Sequence, residues 1–379
     1  MKTSKIATIL ALLLLPITAI SSEAWNTKSN FGGVGRHRGT GIAIGNRGYM
    51  GLGHYNGAGP NIMFSDWWEF DPGTNTWSQK ADYPFQTYAA AAFSIGMKGY
   101  VGAGVSAGNL FYAFDPIANT WTAIQSVPMG ATDQVGFSVN GKGYYLYTNL
   151  LYEYDPGSDT WSAKNNAPFS PSSWSSSFTI GDKAYVKSAS SLYEYKSTTD
   201  EWSVRAFFPG LASGGSAAFA VKGKGYIVCG YVGWLSELTD EVWEFDPATN
   251  TWTQMDEFPG SSRRFSAGFS IGDKGYLGIG TTGTNMRDFW EFDELLAVEE
   301  KDMMQLTVYP NPAVDFVTVS ISGAGTINLY DLSDKLIFSH ELINTESFEV
   351  STLESGTYLV ECVTSNSRKI QKLVIQHLD

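Results

Sequence analysis

Cysteine is almost absent from this chain of 379 residues. Cys229 and Cys362 lie far apart, which excludes a disulfide framework and leaves each as a small apolar side chain. Positive charge is also scarce: 25 Lys and Arg face 38 Asp and Glu, a net charge of -13. Such a balance excludes general affinity for nucleic acid or anionic membrane, because that affinity comes from neutralising phosphates with basic side chains. No run of His, Cys and carboxylates has zinc-ligand spacing. Copper chemistry would need imidazoles, tyrosinates and a nearby Cys, whereas only His37, His54 and Cys229 precede residue 306. No metal or cofactor is therefore expected. A nucleophile elbow and a phosphate loop are missing as well.

Long apolar runs are confined to Ile6–Ile20, which follows Lys2 and Lys5 and leads to the small residues Ala19 and Ser21. The run is shorter than the roughly 20 residues of a membrane span. Residues 1–21 read as a signal peptide, and no integral span is expected in the mature chain.

What the chain has in abundance is glycine, with 40 residues, and aromatics at 14%. Both recur in register. Tyr49, Tyr100, Tyr144, Tyr185, Tyr226 and Tyr276 each close a turn of the "IGxKGY" type. Trp25, Trp77, Trp121, Trp161, Trp202 and Trp252 mark a second register, spaced 52, 44, 40, 41 and 50 residues apart. A period near 50 with short alternating strands indicates the blades of a β-propeller. Each unit reads as four strands, A to D from the centre outwards. In strand C the pairs Trp68 and Phe70, or Trp243 and Phe245, share one face, with Glu69 or Glu244 on the other. Turns between C and D ("DPGTNTW", "DPATNTW") use Pro at the start and Asn or Asp where a left-handed residue is needed. In blade four Lys196–Glu201 replaces that pattern, so the turn there is less well specified. The chain starts on a D strand at Trp25 and finishes a C strand at Asp293, so the N-terminal strand must complete the sixth blade and pack beside Trp290.

One face of such a ring carries the near-invariant A–B and C–D turns, and the other carries variable B–C loops and D–A crossovers. From the B-strand Tyr to the end of strand C the blades span 22, 15, 11, 11, 20 and 17 residues. Ring closure makes the long-looped blades five, six and one neighbours, and variable loops on a rigid scaffold are where binding concentrates. Thirteen residues before the B-strand Tyr, blades one and six have Arg36 and Arg263. His37 and Arg264 follow them, and the long loops add His54, Tyr55, Tyr231, Trp234, Asn285 and Arg287. Tyr88, Asp133 and Trp174 complete the rim. Arginines beside aromatic faces suit an anionic sugar or an acidic peptide. The same arginines could instead be structural, paired with Asp66, Glu237 or Asp240.

These repeats resemble the kelch family, which includes the galactose-oxidase-like propellers. The double glycine of that family stands at Gly51 and Gly53, Gly102 and Gly104, and Gly278 and Gly280, shrinks to Gly230 in blade five, and is missing from blades three and four. The resemblance implies that Arg36 and Arg263 face the mouth of the central channel and touch ligand. It also suggests an alternative function, a sialic-acid mutarotase using an arginine with an acid; by position alone those residues would be Arg263 with Glu237 or Asp240.

Residues 294–305, "ELLAVEEKDMMQ", read as a linker, and seven short alternating runs over 306–379 suggest a β-sandwich. Tyr309-Pro310-Asn311-Pro312, Asp315, the "LESGTY" run with Gly356 and Tyr358, and "KLVIQ" from Lys372 resemble the (type A-like) C-terminal sorting domain of the type IX secretion system. That resemblance implies export through the periplasm by the type IX machinery, as in Bacteroidota, to the outer surface or the medium. The expectation is an all-β chain: a six-bladed propeller over 22–293 and a sorting sandwich. Its expected role is as a non-catalytic module that recognises a glycan or protein ligand.

Overall fold

The computed structural model describes residues 24–57, 61–130, 134–171, 174–233, 236–294, 306–333, 335–364 and 368–377. They form two compact units, Ala24–Glu294 and the residues from Leu306 onwards. Among them no helix is long and apolar enough to cross a membrane. The signal-peptide reading falls on residues outside the description.

The larger unit is a ring of six four-stranded antiparallel sheets. Blade one consists of Thr40–Ile44, Arg47–Gly51, Trp67–Asp71 and Thr76–Lys80 from the centre outwards. The innermost strands of blades two to six are Ala91–Ile95, Val135–Val139, Ser176–Ile180, Ala217–Val221 and Ala267–Ile271, and each touches its neighbours, the last against the first. Alternation along them turns one large residue outward into the packing between blades: Ile42, Phe93, Phe137, Phe178, Phe219 and Phe269 are all buried. The opposite positions, Gly41, Ala92, Gly136, Ser177, Ala218 and Gly268, line the central channel. Small uncharged residues there let six strands converge.

Closure happens as expected. Trp25–Lys28 is the outermost strand of blade six, with Trp25 opposite Phe292 and Thr27 opposite Trp290. The Trp25 ring lies 5.0 Å from Phe258 and 5.1 Å from Phe292, sealing blade five against blade six.

Two recurrent devices hold neighbouring strands. The B-strand Tyr hydroxyl donates to the C-strand Glu, as in Tyr226 to Glu244 at 2.9 Å and Tyr276 to Glu291 at 2.7 Å. In blades one and six a D-strand cation covers that Glu, Lys80 on Glu69 at 3.1 Å and Lys28 on Glu291 at 3.0 Å, and in blade five the B-strand Lys224 covers Glu244 at 2.7 Å. Blade two has Ala113 and Ile124 at the two positions. Carboxylate and cation are lost together, which leaves no buried charge without its partner. The second device is the left-handed Asn or Asp of the C–D turn, whose side chain accepts from the previous blade's backbone, as in Asn75 from Ser29 N–H at 2.9 Å and Asn250 from Ala206 N–H at 2.9 Å. Asp200 does the same in blade four, with φ 54° and bonds of 3.1 Å from Asn165 N–H. That turn is thus as well specified as the others despite its divergent sequence. The terminal Asp, not the missing Asp-Pro start, sets its geometry.

In the second unit the seven expected runs are seven strand segments carried by five continuous strands: Leu306–Tyr309, Phe316–Asp331, Leu336–Glu349, Gly356–Val363 and Arg368–Ile375. Phe316–Asp331 pairs with Leu306–Tyr309 along its first half, with Gly356–Val363 along its second, and with Leu336–Glu349 on its other edge. Register shifts between Ser320 and Ala324. Val317, Val319 and Ile321 on one side of that irregularity and Ile327 and Leu329 on the other then share one core, which also buries Cys362. Asn311 clamps the last strand, donating to Lys372 O at 2.7 Å and accepting from Val374 N–H at 2.9 Å. Its neighbours Tyr309-Pro310 and Pro312 bring the chain there, Asp315 O accepts from Val350 N–H, and Tyr358, two residues after Gly356, donates to Glu354 O. Lys372 itself is exposed.

Trp25→Ala should cost about 3–5 kcal/mol of propeller stability, as for other buried aromatic truncations. Chemical denaturation followed by tryptophan fluorescence measures it, and an unchanged midpoint would show that closure carries little stability.

Candidate functional site

The variable face is built where each D–A crossover turns into its innermost strand. At this turn one repeat position, eleven residues before the B-strand Tyr, takes a left-handed φ: Arg38 at 54°, Ala89 at 50°, Trp174 at 80°, Gly215 at 71° and Phe265 at 60°. The sixth equivalent, Asp133, lies outside the described residues. For all but Gly215 this conformation costs roughly 1–2 kcal/mol. A belt of backbone bonds offsets it: Arg38 N–H donates to Phe265 O at 3.0 Å, Ala89 to Arg38 at 2.9 Å, Gly215 to Trp174 at 2.8 Å and Phe265 to Gly215 at 2.8 Å. Among the described residues the belt runs from Trp174 through Gly215, Phe265 and Arg38 to Ala89 along the channel mouth, beside a cavity of about 130 Å³ lined by Arg38, Gln134, Trp174 and Phe265 among others.

Arg36 and Arg263, expected to face this mouth, do not. Both are completely buried. Arg36 forks onto both oxygens of Asp66, donates to Leu52 O at 3.0 Å, and lies 3.8 Å above Phe64. Arg263 forks onto Asp288 at 2.6 Å for each pair and donates to Ile279 O at 3.2 Å. The two carboxylates also accept from Trp68 and Trp290 at 2.8 Å each. Arg263 pairs with neither Glu237 nor Asp240; Glu237 is exposed, and Asp240 O accepts from Phe258 N–H. The arginine-acid pair of the mutarotase alternative is thus not formed. An acid two residues before a C-strand Trp, as in Asp66 with Trp68 and Asp288 with Trp290, was the sequence signal for these clamps.

Two residues onward along the same crossover, Arg38 reaches the mouth and had no place among the expected residues. Its guanidinium lies 4.3 Å from the Phe265 ring, 5.4 Å from Trp174 and 5.8 Å from Tyr88. Arg264 lies 4.9 Å from Tyr231 and 5.1 Å from Phe265. Among the described residues no carboxylate pairs with Arg264. His37 Nδ1 is 2.6 Å from Asn285 Oδ1, and its ring is 4.3 Å from that of His54, which stacks on Tyr88 at 4.5 Å. Burial above all, opposed by the Asn285 contact and aided by His54, Arg38 and Arg264, holds the His37 pKa near 4. Burial and Arg38 lower that of His54. Both imidazoles are therefore neutral at physiological pH.

Of the expected residues, His37, Arg264, Tyr88, Trp174 and Tyr231 come together here. Tyr55 sits in a small hairpin with Ile62, and Arg287 is exposed, its carbonyl accepting from Phe31 N–H. Trp234 falls outside the described residues.

The crossover from blade four to blade five has no arginine clamp and is held instead by Lys187 of the blade-four B strand, which is 2% exposed, donates to Ala212 O at 2.7 Å, and lies 4.5 Å from the Phe208 ring. Burial brings its pKa down to about 7.

Residues 307–376 match the family described as secretion system C-terminal sorting domain, and residues 213–259 match the Kelch motif. No curated protein matches the chain. Among solved structures the chain is similar to that of YjhT, at 16% identity and a TM-score of 0.56, over 69% of this chain and 95% of that one. At that identity the likeness concerns the fold.

Two outcomes test the buried cations. Arg263→Ala should destabilise the propeller by about 3–5 kcal/mol, the usual effect of stranding one partner of a buried pair. Lost ligand binding at unchanged stability would return this arginine to the site. For Lys187, the folded amine gives up its proton near pH 7 while the unfolded lysine keeps one until about 10.4, so folding strengthens as pH rises between these values. Wild type should gain up to about 1.4 kcal/mol per pH unit relative to Lys187→Met across that window. Parallel pH-stability curves would refute a depressed lysine.

Proposed function

Starting from a kelch-type propeller joined to a type IX sorting domain, in a chain exported to the cell surface or the medium, we propose a non-catalytic recognition module. Its propeller binds a carboxylate-bearing group, on an anionic glycan or an acidic peptide, at the mouth lined by the left-handed residues. The observation that carries this reading is Arg264, held between Tyr231 and Phe265 with no carboxylate of its own among the described residues, beside the aromatic-flanked Arg38. One guanidinium, that of Arg264, without a carboxylate among the described residues of a chain with net charge -13 favours a localised anion over a broad acidic surface. The mouth cavity of about 130 Å³ is below the roughly 300 Å³ of a pocket for a drug-sized ligand. One terminal group of a larger ligand would seat there, above the central channel, with its remainder against Tyr231 and Tyr88.

Glycan and acidic-peptide arrays probed with the full chain test this. Arg264→Gln should weaken binding about 10- to 100-fold while leaving the unfolding midpoint in place, the loss expected for one charge-assisted contact. Equal binding by the variant would reject the site. Faster exchange of sialic acid anomers than in buffer, followed by NMR, would overturn the non-catalytic reading.

A further inference from the structure

Blade four breaks the repeat at one charged position, on the face of the A–B and C–D turns, opposite the mouth. In the five other blades strand C leads into an aspartate: Asp71, Asp115, Asp155, Asp246 and Asp293. That carboxylate has two kinds of partner. It accepts from a backbone N–H of the C–D turn, Gly73 at 2.8 Å, Ile117 at 3.0 Å, Gly157 at 2.8 Å and Ala248 at 2.8 Å. It also pairs with the cation that opens strand B, as Arg47 with Asp71 at 3.0 Å, Lys142 with Asp155 at 2.7 Å and Lys274 with Asp293 at 3.1 Å. Blade four has Lys196 at this position, directly opposite Lys183 in register. Like charges placed in this way repel each other. Lys183 keeps the C-strand Glu194 at 2.9 Å, and among the described residues no carboxylate pairs with Lys196. The N–H of Thr198, the equivalent of Gly73, has lost its aspartate too. Folding of the turn does not require one, because Asp200 already fixes it. Beside the two ammonium groups lies a cavity of about 640 Å³, lined also by Asn166, Pro168, Trp202 and Ser203.

We propose that this cavity is a second binding site, for a uronic-acid residue of an acidic polysaccharide whose carboxylate takes the place of the missing aspartate. Blade six supplies the template. There Lys274 holds two carboxylates at once, Glu291 at 2.9 Å and Asp293 at 3.1 Å. Lys183 stands at the same place in its blade and holds Glu194 alone, so its second place is open to an anion from outside. Lys196 brings another ammonium to that place and Thr198 a backbone donor, which together make charge-assisted contacts to a carboxylate. Two carboxylates of the wall have partners of their own. Glu194 is shared between Lys183 and Arg205, the latter at 3.4 Å, and Asp200 accepts from Tyr195 at 2.8 Å and Asn165 N–H at 3.1 Å. Glu201, exposed and opposite Lys196 in register, confines the anion to the Lys183 side. The uncharged lining decides what carries the carboxylate. Asn166 and Ser203 have side chains in no hydrogen bond among the described residues, and the partly buried Trp202 and exposed Pro168 offer apolar surface. A hydroxylated ring uses all of these, whereas an acidic side chain of a peptide uses the lysines alone. The volume is within the roughly 300–1,000 Å³ of small-molecule sites. This site does not depend on the mouth.

Calorimetric titration of the full chain with trigalacturonate tests this, in an Arg264→Gln background that removes the contribution of the mouth. Trigalacturonate should bind there, and its methyl ester, with the same rings and no charge, should bind about tenfold more weakly or worse. Lys196→Asp restores the residue of the other blades, so the protein's own carboxylate fills the place meant for the ligand's. Affinity should then fall about 10- to 100-fold, the loss expected for a charge-assisted contact, while the unfolding midpoint stays or rises. Lys196→Gln, which removes the ammonium without supplying an acid, should lower affinity by less. No binding to Arg264→Gln, equal affinity after Lys196→Asp is added, or equal affinity for acid and ester would each overturn the site. Hexaglutamate bound as tightly as trigalacturonate would overturn the sugar in favour of an acidic peptide.

Discussion

Everything in the propeller depends on one strand pairing, that of Trp25–Lys28 with Phe289–Phe292. A ring of six twisted sheets has two free ends, and an unpaired outer strand of blade six would leave an open edge and an unsealed face against blade five. The first strand closes both, with backbone bonds to Phe289–Phe292 and the Trp25 ring between Phe258 and Phe292. Lys28, the last residue of that strand, also covers Glu291. Closure therefore fixes distance as well as stability. It sets blade six beside blade one, so Phe265 and Asn285 meet His37 and Arg38, residues more than two hundred positions away in the chain.

The mouth breaks the local rules that the rest of the ring obeys. Arg38, Ala89, Trp174 and Phe265 all hold a left-handed backbone that glycine would adopt without strain. The strain is local to the turn that aims these side chains at the channel, and the belt of backbone bonds and the buried clamps of Arg36 and Arg263 hold it in place. In this arrangement the invisible arginines matter as much as the visible ones. Arg36 and Arg263 anchor the two crossovers whose next residues present His37, Arg38, Arg264 and Phe265. Two guanidinium groups near the surface are thus positioned by two that never reach it.

Much of the architecture was legible before any coordinates. Tyr and Trp registers announced six blades, the starting D strand announced closure, and the Asn or Asp of each C–D turn announced the left-handed corner. The sorting-domain motifs were equally plain, although their seven runs proved to be segments of five longer strands because a strand can bend through a register shift without ending. The mouth is less legible. Loop length and ring order point to His37, Arg264 and Tyr231, and place at the channel mouth to Tyr88 and Trp174, and the structure brings these five together; Arg38 carries no such signal, and Arg36 and Arg263, which do, are buried. The fates of adjacent arginines hinge on a carboxylate 30 residues further on for Arg36, and on which side of a tight corner each side chain emerges.

By itself the sequence determined the strands, the turns, the blade count and the identity of the closing segment, because each is encoded by spacing within a few dozen residues and repeated several times. Only the tertiary structure decided which charges are buried and which stand at the channel mouth. Burial of an arginine is settled by whether a carboxylate from another strand reaches it and whether neighbouring blades exclude water from the pair, and both conditions exist only once the ring has closed.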